Sequence, residues 1–285
     1  MIAIFTIVKN EHLYLEEWLN YHINLGIDKI YVFDDPFSRS HKEICDKFSN
    51  NAVSKSLLEL YSQSRQSQIL HKSLVQTSLQ ETQITYMYTI LNYIKNNEDI
   101  DWAFYIDVDE FITLNCNCSI DKILSNYSDY EILVLSWKNF GANGHLTKPS
   151  SSVIDSYTRE CVLSADRNRM TPNASSKLCF NMHKWNRSIV TSHHIPKSAI
   201  WCKTNFSTNP FEVVYDSMYI KHYITKSFDE FCNKIYVRGQ FCNSKRIYDF
   251  FVFNPDFSIQ SNSVQEILNK YSDMYLSGKL QFSIV

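Results

Sequence analysis

Three acidic residues, Asp107, Asp109 and Glu110, directly follow an apolar run in the segment WAFYIDVDEF, which covers residues 102–111. Side chains two residues apart in an extended segment point to the same side, so Asp107 and Asp109 can approach one cation together. An all-oxygen site suits Mg²⁺ or Mn²⁺, and Mg²⁺ usually keeps waters and is completed by substrate phosphates. The segment therefore predicts a divalent cation that binds a phosphorylated ligand such as a diphosphate.

A bare D-x-D motif is also common in solvated turns, so the elements around it decide between the two interpretations. IAIFTIV (2–8) predicts a buried strand, and DKIYVFDD (28–35) predicts a second one. The segment between them predicts a helix that stops at Gly26. Four apolar residues are expected on its buried face: Leu15, Trp18, Leu19 and Ile23.

The pattern of helix and strand continues beyond this first unit. Residues 78–97 predict a long helix, and two apolar runs at 102–107 and 131–137 predict further strands. Continuous apolar strands are typical of an α/β fold in which helices cover both faces of an open, mainly parallel sheet. Ligands of such sheets bind beyond the carboxyl ends of the strands. Here those ends read KNE (9–11), DD (34–35) and DVDE (107–110).

The second half of the chain is less regular. Loops and antiparallel strands of a smaller, acceptor-side region are expected over residues 139–215. A short strand and a basic helix, beginning at Ser227 and ending at Gly239, are expected after it. We therefore predict one domain over 1–260, divided into halves 1–138 and 139–260, with a helical tail at 261–285.

Composition narrows the function classes. The chain has 285 residues, 44% of them hydrophobic, which is enough for a substantial core. Its net charge of -2 gives no footprint for nucleic acid. The apolar start of the chain has no preceding basic residue and predicts a strand, not a signal peptide, and no run reaches the length of a membrane span. A cytoplasmic protein with free, buried thiols among its eight cysteines is expected.

Five segments resemble, in the same order, the glycosyltransferases of family 92 and their bacterial family 2-like relatives. They are FTIVKNEHLYLEEWLNYHINLGIDKIYVFDDPFS, WAFYIDVDEFI, SWKNFGANGH, the pair His193-His194, and KHYITKSFDEFCNKIYVRG. The resemblance covers most of residues 1–240. It implies the Rossmann-like GT-A fold, a nucleotide-sugar donor, a D-x-D metal site and inversion at the anomeric carbon.

The resemblance also implies roles for single residues. Asp107 would face the ribose and the metal, Asp109 would bind the metal, and His222 would be a further metal ligand, with strand packing as its alternative role. Donor contacts are implied for Lys9, Asn10, Glu11, Asp34, Asp35, Lys234 and Arg238. The last two lie four residues apart on one helical face and could both reach the diphosphate, or they could form a solvated basic face. Asp34-Asp35-Pro36 departs from the Asp-Asn-small pattern of the family, so which acid contacts the base stays open.

The catalytic base has several candidates. Inversion by single displacement needs a group that accepts the proton of the acceptor hydroxyl. Ser227 and Glu230 fit a capping box, which leaves Asp229 as the predicted base, with stabilisation of the helix dipole as its alternative role. The rival bases are Asp166, Glu160 and His145. Acceptor or sugar contacts are predicted for Glu110, Trp137, Phe140 and Trp201, although core packing is the commoner role of Trp and Phe.

The resemblance thus implies an inverting transferase that moves a hexose, by analogy galactose, from a UDP-sugar with Mn²⁺ or Mg²⁺. The implied acceptor is a glycan or glycolipid of a bacterial surface, such as lipopolysaccharide or capsule, with peripheral contact to the inner membrane. Two other classes stay open. A nucleotidyl- or phosphoryl-transfer enzyme would normally show a Gly-rich loop, which the first strand end lacks. The other class is a catalytically silent nucleotide-sugar-binding protein.

Overall fold

The computed structural model describes residues 1–36, 38–63, 79–161, 176–186, 199–201, 215–236 and 247–276. The strands of this part are β1 (Ile2–Val8), β2 (Lys29–Asp34), β3 (Ala52–Ser56), β4 (Trp102–Tyr105), β5 (Glu110–Leu114), β6 (Ile132–Asn139), β7 (Ser176–Asn181), β8 (Ala199–Trp201) and β9 (Met218–His222). Its helices are α1 (Leu15–Leu25), α2 (Lys42–Asp46), α3 (Leu57–Gln63), α4 (Leu79–Asn97), α5 (Ile120–Ser125), α6 (Val153–Ser156), α7 (Phe228–Tyr236), α8 (Ile247–Phe253) and α9 (Asn262–Leu276).

The strands form one sheet in the order β3-β2-β1-β4-β7-β6-β9-β5, with β8 paired to β6. β1 lies parallel to both β2 and β4, and β2 lies parallel to β3. β7 runs antiparallel to its neighbours β4 and β6. The predicted α/β fold with a mainly parallel sheet is confirmed. The parallel pairing brings the carboxyl ends of β1, β2 and β4 to the same edge.

Two compact units divide the chain. Unit 1 comprises Met1–Trp137 and Ser175–Ile220, and unit 2 comprises Lys138–Ala174 and Lys221–Val285. The first boundary lies one residue from the predicted division at 138. The return of the chain to unit 1 after residue 174 has no counterpart in the sequence-based prediction.

The first helix illustrates how the sequence forms the core of unit 1. Gly26 has φ +104° and ends α1, because this left-handed conformation is readily accessible to glycine. Leu15, Trp18 and Leu19 are buried as predicted, but the fourth buried residue is His22 instead of Ile23. His22 Nδ1 lies 2.9 Å from the Trp18 carbonyl oxygen, and the Ile112 N–H donates to Nε2 at 3.2 Å. Burial lowers the pKa of His22 to about 3, so the ring packs as a neutral group.

Unit 2 has its own aromatic core. Phe228, Phe231 and Phe250, from α7 and α8, pack with Val264 and Tyr271 of α9. The described part of the predicted tail forms α9, which packs within this unit, and residues 277–285 lie outside the described residues. A Cβ added at Gly141 would lie 2.6 Å from Asn254 Oδ1, which already accepts the Ala142 N–H, so the close approach requires glycine in the segment SWKNFGANGH.

Two further expectations concern the described residues. No helix among them is long and apolar enough to cross a membrane. Cys45, Cys161, Cys179 and Cys232 are buried free thiols, as predicted, whereas Cys116 and Cys118 are free but exposed. Cys202 and Cys242 lie outside the described residues.

Candidate functional site

The D-x-D-E segment lies in a tight turn between β4 and β5. The predicted strand 102–107 ends at Tyr105, and the Glu110 N–H donates to the Asp107 carbonyl oxygen at 3.0 Å. The argument from alternating side chains of an extended segment is therefore wrong for Asp107 and Asp109, because these residues belong to a turn. Both side chains are nevertheless partly exposed at the sheet edge where β4 ends.

Two buried side chains, those of Glu110 and Lys177, form contacts with Asp107 in this turn. Glu110 is fully buried, and its Oε2 accepts the Asp107 N–H at 2.8 Å. Lys177 of β7 donates from Nζ to Asp107 Oδ2 at 2.7 Å and lies 3.3 Å from Glu110 Oε2. The predicted contact of Glu110 with sugar or acceptor does not fit this burial. Its observed role is to hold the turn.

Glu110 and Lys177 are both buried, but they favour different forms: Glu110 the neutral form and Lys177 the charged form. Burial raises the pKa of Glu110 well above its usual range, and its Oε1 has no hydrogen-bond partner among the described residues. Burial opposes the charged form of Lys177, but the neighbouring acids, Asp107 first among them, reverse this effect and raise the pKa of Lys177 overall. We therefore assign the ion pair of the turn to Lys177 and Asp107.

Two aromatic rings complete the surroundings of Lys177. Its Nζ lies 4.9 Å from the centre of the Tyr105 ring and 5.9 Å from that of Trp137. Cations near the faces of aromatic rings are stabilised by the ring quadrupole. Trp137 is half-buried, and its carbonyl oxygen accepts the Tyr215 hydroxyl at 3.0 Å. Its ring thus lies beside the acidic turn, where the role in sugar binding remains a prediction.

The ends of β1 and β2 are connected through a histidine that the sequence analysis did not identify. Asp34 Oδ1 lies 2.6 Å from His41 Nδ1, and its Oδ2 accepts hydrogen bonds from the hydroxyls of Ser40 and Ser54, both at 3.1 Å. Burial works against the ionised form of Asp34, but the contact with His41 and the hydrogen bond from Ser54 lower its pKa overall. Asp34 is thus engaged within the protein.

The His41 ring also contacts the backbone that follows β1, and it thereby connects the ends of β1 and β2. The Glu11 N–H donates to His41 Nε2 at 3.0 Å, so Nδ1 carries the proton that is shared with Asp34. Asn10 has φ 57°, and its N–H donates to the Ser38 hydroxyl at 2.9 Å. The His12 ring stacks on the fully buried His41 ring at 3.9 Å between centres. The network fixes the backbone at Asn10 and Glu11 beside the end of β2, and Lys9 and Asp35 flank it.

Unit 2 contains the remaining predicted ligands and bases. His222 is 5% exposed, and its carbonyl oxygen accepts the Phe140 N–H at 2.9 Å. Asp107 and Asp109 belong to unit 1, so the role of His222 as a metal ligand stays a prediction. Phe140 is 6% exposed and stacks on Tyr223 with 5.2 Å between centres. This packing uses the ring that was predicted to contact sugar, so Phe140 is better explained as a core residue.

Asp229 connects two helices of unit 2. Lys270 donates from Nζ to Asp229 Oδ1 at 2.7 Å, and the Tyr271 hydroxyl lies 3.1 Å from the same oxygen. The carboxylate is 27% exposed, so it can reach solvent while it holds α9 against α7. The predicted base therefore also has a structural contact that an experiment must separate from catalysis.

Glu230 forms the predicted capping box with Ser227. The Ser227 N–H and hydroxyl donate to Glu230 Oε2 at 3.2 and 2.6 Å, and the Glu230 N–H lies 3.4 Å from Ser227 Oγ. The Tyr157 hydroxyl donates to the same Oε2 at 2.8 Å, and Oε1 is buried without a hydrogen-bond partner among the described residues. Burial raises the pKa of Glu230 to about 7.

This raised pKa predicts a pH dependence of stability. The folded protein favours neutral Glu230, so the free energy of unfolding falls as pH rises from the ordinary pKa of 4.5 to about 7. The contribution is at most about 3 kcal/mol. Glu230→Gln is neutral at every pH, so the variant should gain stability relative to wild type between pH 4 and pH 8. Denaturant unfolding at both pH values measures this difference, and a gap that does not change with pH would contradict it.

The other predicted residues are placed as follows. Lys138 Nζ lies 2.6 Å from Glu160 Oε1, and His145 Nε2 lies 3.2 Å from the Ser156 carbonyl oxygen. Lys234 is half-buried in the last turn of α7. Asp166, Arg238, His193 and His194 lie outside the described residues, as does the side chain of Trp201.

The acidic turn at 107–110 presents oxygen atoms that a divalent cation could bind. Across the described ranges, no group of three or more His, Cys, Asp and Glu side chains is placed to hold a metal ion. The partly exposed carboxylates of Asp107 and Asp109 provide oxygen donors only. This set fits Mg²⁺ or Mn²⁺ that keeps waters and takes its other ligands from phosphate groups, and it does not fit a closed protein cage.

The chain is weakly similar to two solved structures of other proteins. HddC from Yersinia pseudotuberculosis is 9% identical with a TM-score of 0.35, over 78% of this chain and 93% of that one. Glucosyl-3-phosphoglycerate synthase from Mycobacterium tuberculosis, solved with Mn²⁺, UDP and glucosyl-3-phosphoglycerate, is 12% identical with a TM-score of 0.34, over 64% of this chain and 57% of that one. Likenesses of this size assign no ligand to the present chain.

Sequence comparisons are more informative. A glycosyltransferase family 92 protein of Oryza sativa subsp. japonica is 22% identical over 168 residues, which are 58% of this chain and 25% of the relative. One of Ricinus communis is 25% identical over 164 residues, 54% of this chain and 25% of the relative. The match thus spans about a quarter of each plant protein. The model of Glycosyltransferase family 92 matches residues 3–274, almost the whole sequence, so the chain belongs to glycosyltransferase family 92.

Proposed function

We propose that the chain is an inverting, metal-dependent glycosyltransferase that moves a hexose from a UDP-sugar to a glycan or glycolipid. The observation that carries this proposal is the acidic turn at 107–110. It lies at the carboxyl edge of parallel strands in a chain that belongs to a glycosyltransferase family. The turn offers oxygen donors for a cation, and the cation would neutralise the charge that develops on the leaving diphosphate.

The donor nucleotide is proposed to bind along the same edge of unit 1. The backbone at Asn10 and Glu11 is held in place by His41 and Asp34, so little entropy is lost in ordering this segment when a ligand binds. We propose that Asp34 or Asp35 is the acid that contacts the base or ribose, and Asp34 would do so while it is engaged with His41. Lys9 at the same edge, with Lys234 and Arg238 of the later segment, is proposed to contribute positive charge toward the diphosphate.

Proton removal from the acceptor hydroxyl is assigned to Asp229 in this proposal. Glu230 is a second candidate, because its pKa of about 7 matches the value expected for a general base near neutral pH. Its buried Oε1 and its role in the capping box argue for structure instead. His222 is proposed as the additional metal ligand.

A panel of nucleotide sugars tests this proposal. With Mn²⁺ present, the protein should slowly release UDP from its own donor sugar even without acceptor, and galactose is the first sugar to examine. EDTA should stop the release. A protein that binds UDP-sugars but never releases UDP would be a silent binding protein, and transfer of a nucleotidyl group instead of a sugar would also refute the proposal.

The proposed identity of the acceptor depends only on the resemblance described under Sequence analysis. The two relatives described above are plant proteins, so they give no support to lipopolysaccharide or capsule as the acceptor. For a lipid-linked acceptor, we propose peripheral contact of the protein with a membrane surface. Sedimentation with anionic vesicles at low salt tests this contact, and complete absence from the pellet would count against it.

A further inference from the structure

Lys177 places a fixed positive charge beside the first acid of the D-x-D-E turn. Its Nζ lies 2.7 Å from Asp107 Oδ2 and 3.3 Å from Glu110 Oε2. The lysine side chain is only 6% exposed, whereas that of Asp107 is 47% exposed. One side of the Asp107 carboxylate therefore faces a buried ammonium group, and the carboxylate is still accessible from solvent.

The position of Lys177 is set by the sheet and not by a mobile loop. β7 runs antiparallel to β4 and β6, with Leu178 opposite Tyr105 and Lys177 opposite Leu135. The rings of Tyr105 and Trp137 lie near its ammonium group. The Asp107 carboxylate, the buried Glu110 side chain and two aromatic rings lie around the ammonium group, so Lys177 is held in place.

A divalent cation that approaches Asp107 must share this carboxylate with Lys177. Oδ2 is already engaged by the ammonium group, and two positive charges a few ångströms apart repel each other. Without Lys177 the turn would carry one more unit of negative charge and would attract a cation more strongly. A bound diphosphate changes the balance, because its own negative charges favour both cations at once.

We propose that Lys177 is a positioning residue that holds Asp107 and weakens divalent cation binding until a nucleotide diphosphate is present. The cation and the nucleotide then bind as a pair, and the nucleotide-free protein does not retain the metal. This inference rests on the proposed function, which supplies the cation and the diphosphate. A purely structural tether would act in the opposite direction, because its loss would disorder Asp107 and weaken cation binding.

Titration of Mn²⁺ alone, followed by the electron paramagnetic resonance signal of the free hydrated ion, distinguishes these roles. Wild type should bind Mn²⁺ weakly without nucleotide and more tightly with UDP. Lys177→Met should bind Mn²⁺ on the order of tenfold more tightly than wild type without nucleotide, and the gain from UDP should shrink. Lys177→Arg keeps the charge and should resemble wild type.

Matched variants define the controls. Lys184→Met removes an exposed lysine of the same unit, whose Nζ lies 3.5 Å from Asp129, and should leave Mn²⁺ affinity unchanged. Asp109→Ala in the Lys177→Met background should abolish the gain, which locates the tighter binding at the turn. Lys177→Gln serves as the neutral variant if Lys177→Met fails to fold.

Equal or weaker Mn²⁺ binding by the neutral variants would overturn the inference. If neither neutral variant folds, the titration of the wild-type protein alone still tests the inference. Wild-type Mn²⁺ binding that is as tight without UDP as with it would also overturn it. The titration needs no donor sugar or acceptor. A protein that shows the predicted Mn²⁺ behaviour but transfers no sugar would refute the proposed function and leave the role of Lys177 intact.

Discussion

Asp109→Ala is expected to reduce sugar transfer by about 10³-fold or more. The substitution removes an oxygen donor from the acidic turn, and a catalytic cation typically contributes several kcal/mol of charge stabilisation in the transition state. Asp109 is partly exposed and is not a core residue, so the variant should fold. Initial rates of UDP release and transfer, measured beside thermal melting, test the expectation.

Asp129→Ala is the matched control for this experiment. Its side chain is 93% exposed in the same unit, so its loss should change neither the rate nor the melting temperature appreciably. An Asp109→Ala protein with wild-type rates would contradict the role of the turn. So would a wild-type rate in excess EDTA.

Asp229→Asn is expected to reduce turnover by the ~10² to 10⁴ that is typical of losing a general base. UDP affinity in the presence of Mn²⁺ should remain nearly unchanged. The isosteric amide can still accept the Tyr271 hydroxyl, and the Ser227–Glu230 capping box still begins α7. Calorimetry with UDP and Mn²⁺ beside initial rates separates binding from chemistry.

A second variant separates the structural contact of Asp229 from its proposed role as a base, because Asp229 forms an ion pair with Lys270. Lys270→Met removes the pair and keeps the Asp229 carboxylate, and a half-exposed pair of this kind contributes at most about 1 kcal/mol. Lys270→Met should therefore retain most of the turnover. Equal losses in both variants would assign Asp229 to helix packing. Normal turnover in Asp229→Asn would move the base to Glu230, Glu160, His145 or Asp166.

Local signals in the sequence predicted much of the fold. The end of α1 at Gly26 follows from the conformational freedom of glycine, and the start of α7 follows from Ser227 and Glu230, which interact three residues apart. Both features depend only on neighbours along the chain. The parallel direction of β1, β2 and β4, though not their order in the sheet, follows from continuous apolar strands connected through helices.

The parts that were not predicted depend on contacts between distant residues. Lys177 meets Asp107 across 70 positions, because β7 inserts antiparallel between β4 and β6. A lysine in the run SKLCFN gives no local sign of its partner. The turn at 107–110 was hidden because the buried Ile106 extends the apolar run beyond the end of β4.

His41 shows a second limit of sequence patterns. It lies seven residues after Asp34, beyond the end of β2, where histidine is usually an exposed loop residue. The fold buries it fully between Asp34 and the Glu11 N–H. The sequence located the three strand ends that face the site. It could not show that two of those ends are already connected to each other.

Calorimetric titration of UDP into the wild-type protein, first with Mn²⁺ and then with excess EDTA, tests most directly whether the acidic turn is a metal-dependent nucleotide site. Tight binding should occur with Mn²⁺, and EDTA should weaken it by at least about tenfold, because the cation connects the diphosphate to the carboxylates. Asp109→Ala should bind UDP as weakly with Mn²⁺ as wild type does with EDTA. UDP binding that is equally tight with Mn²⁺ and with EDTA would contradict the metal-dependent site.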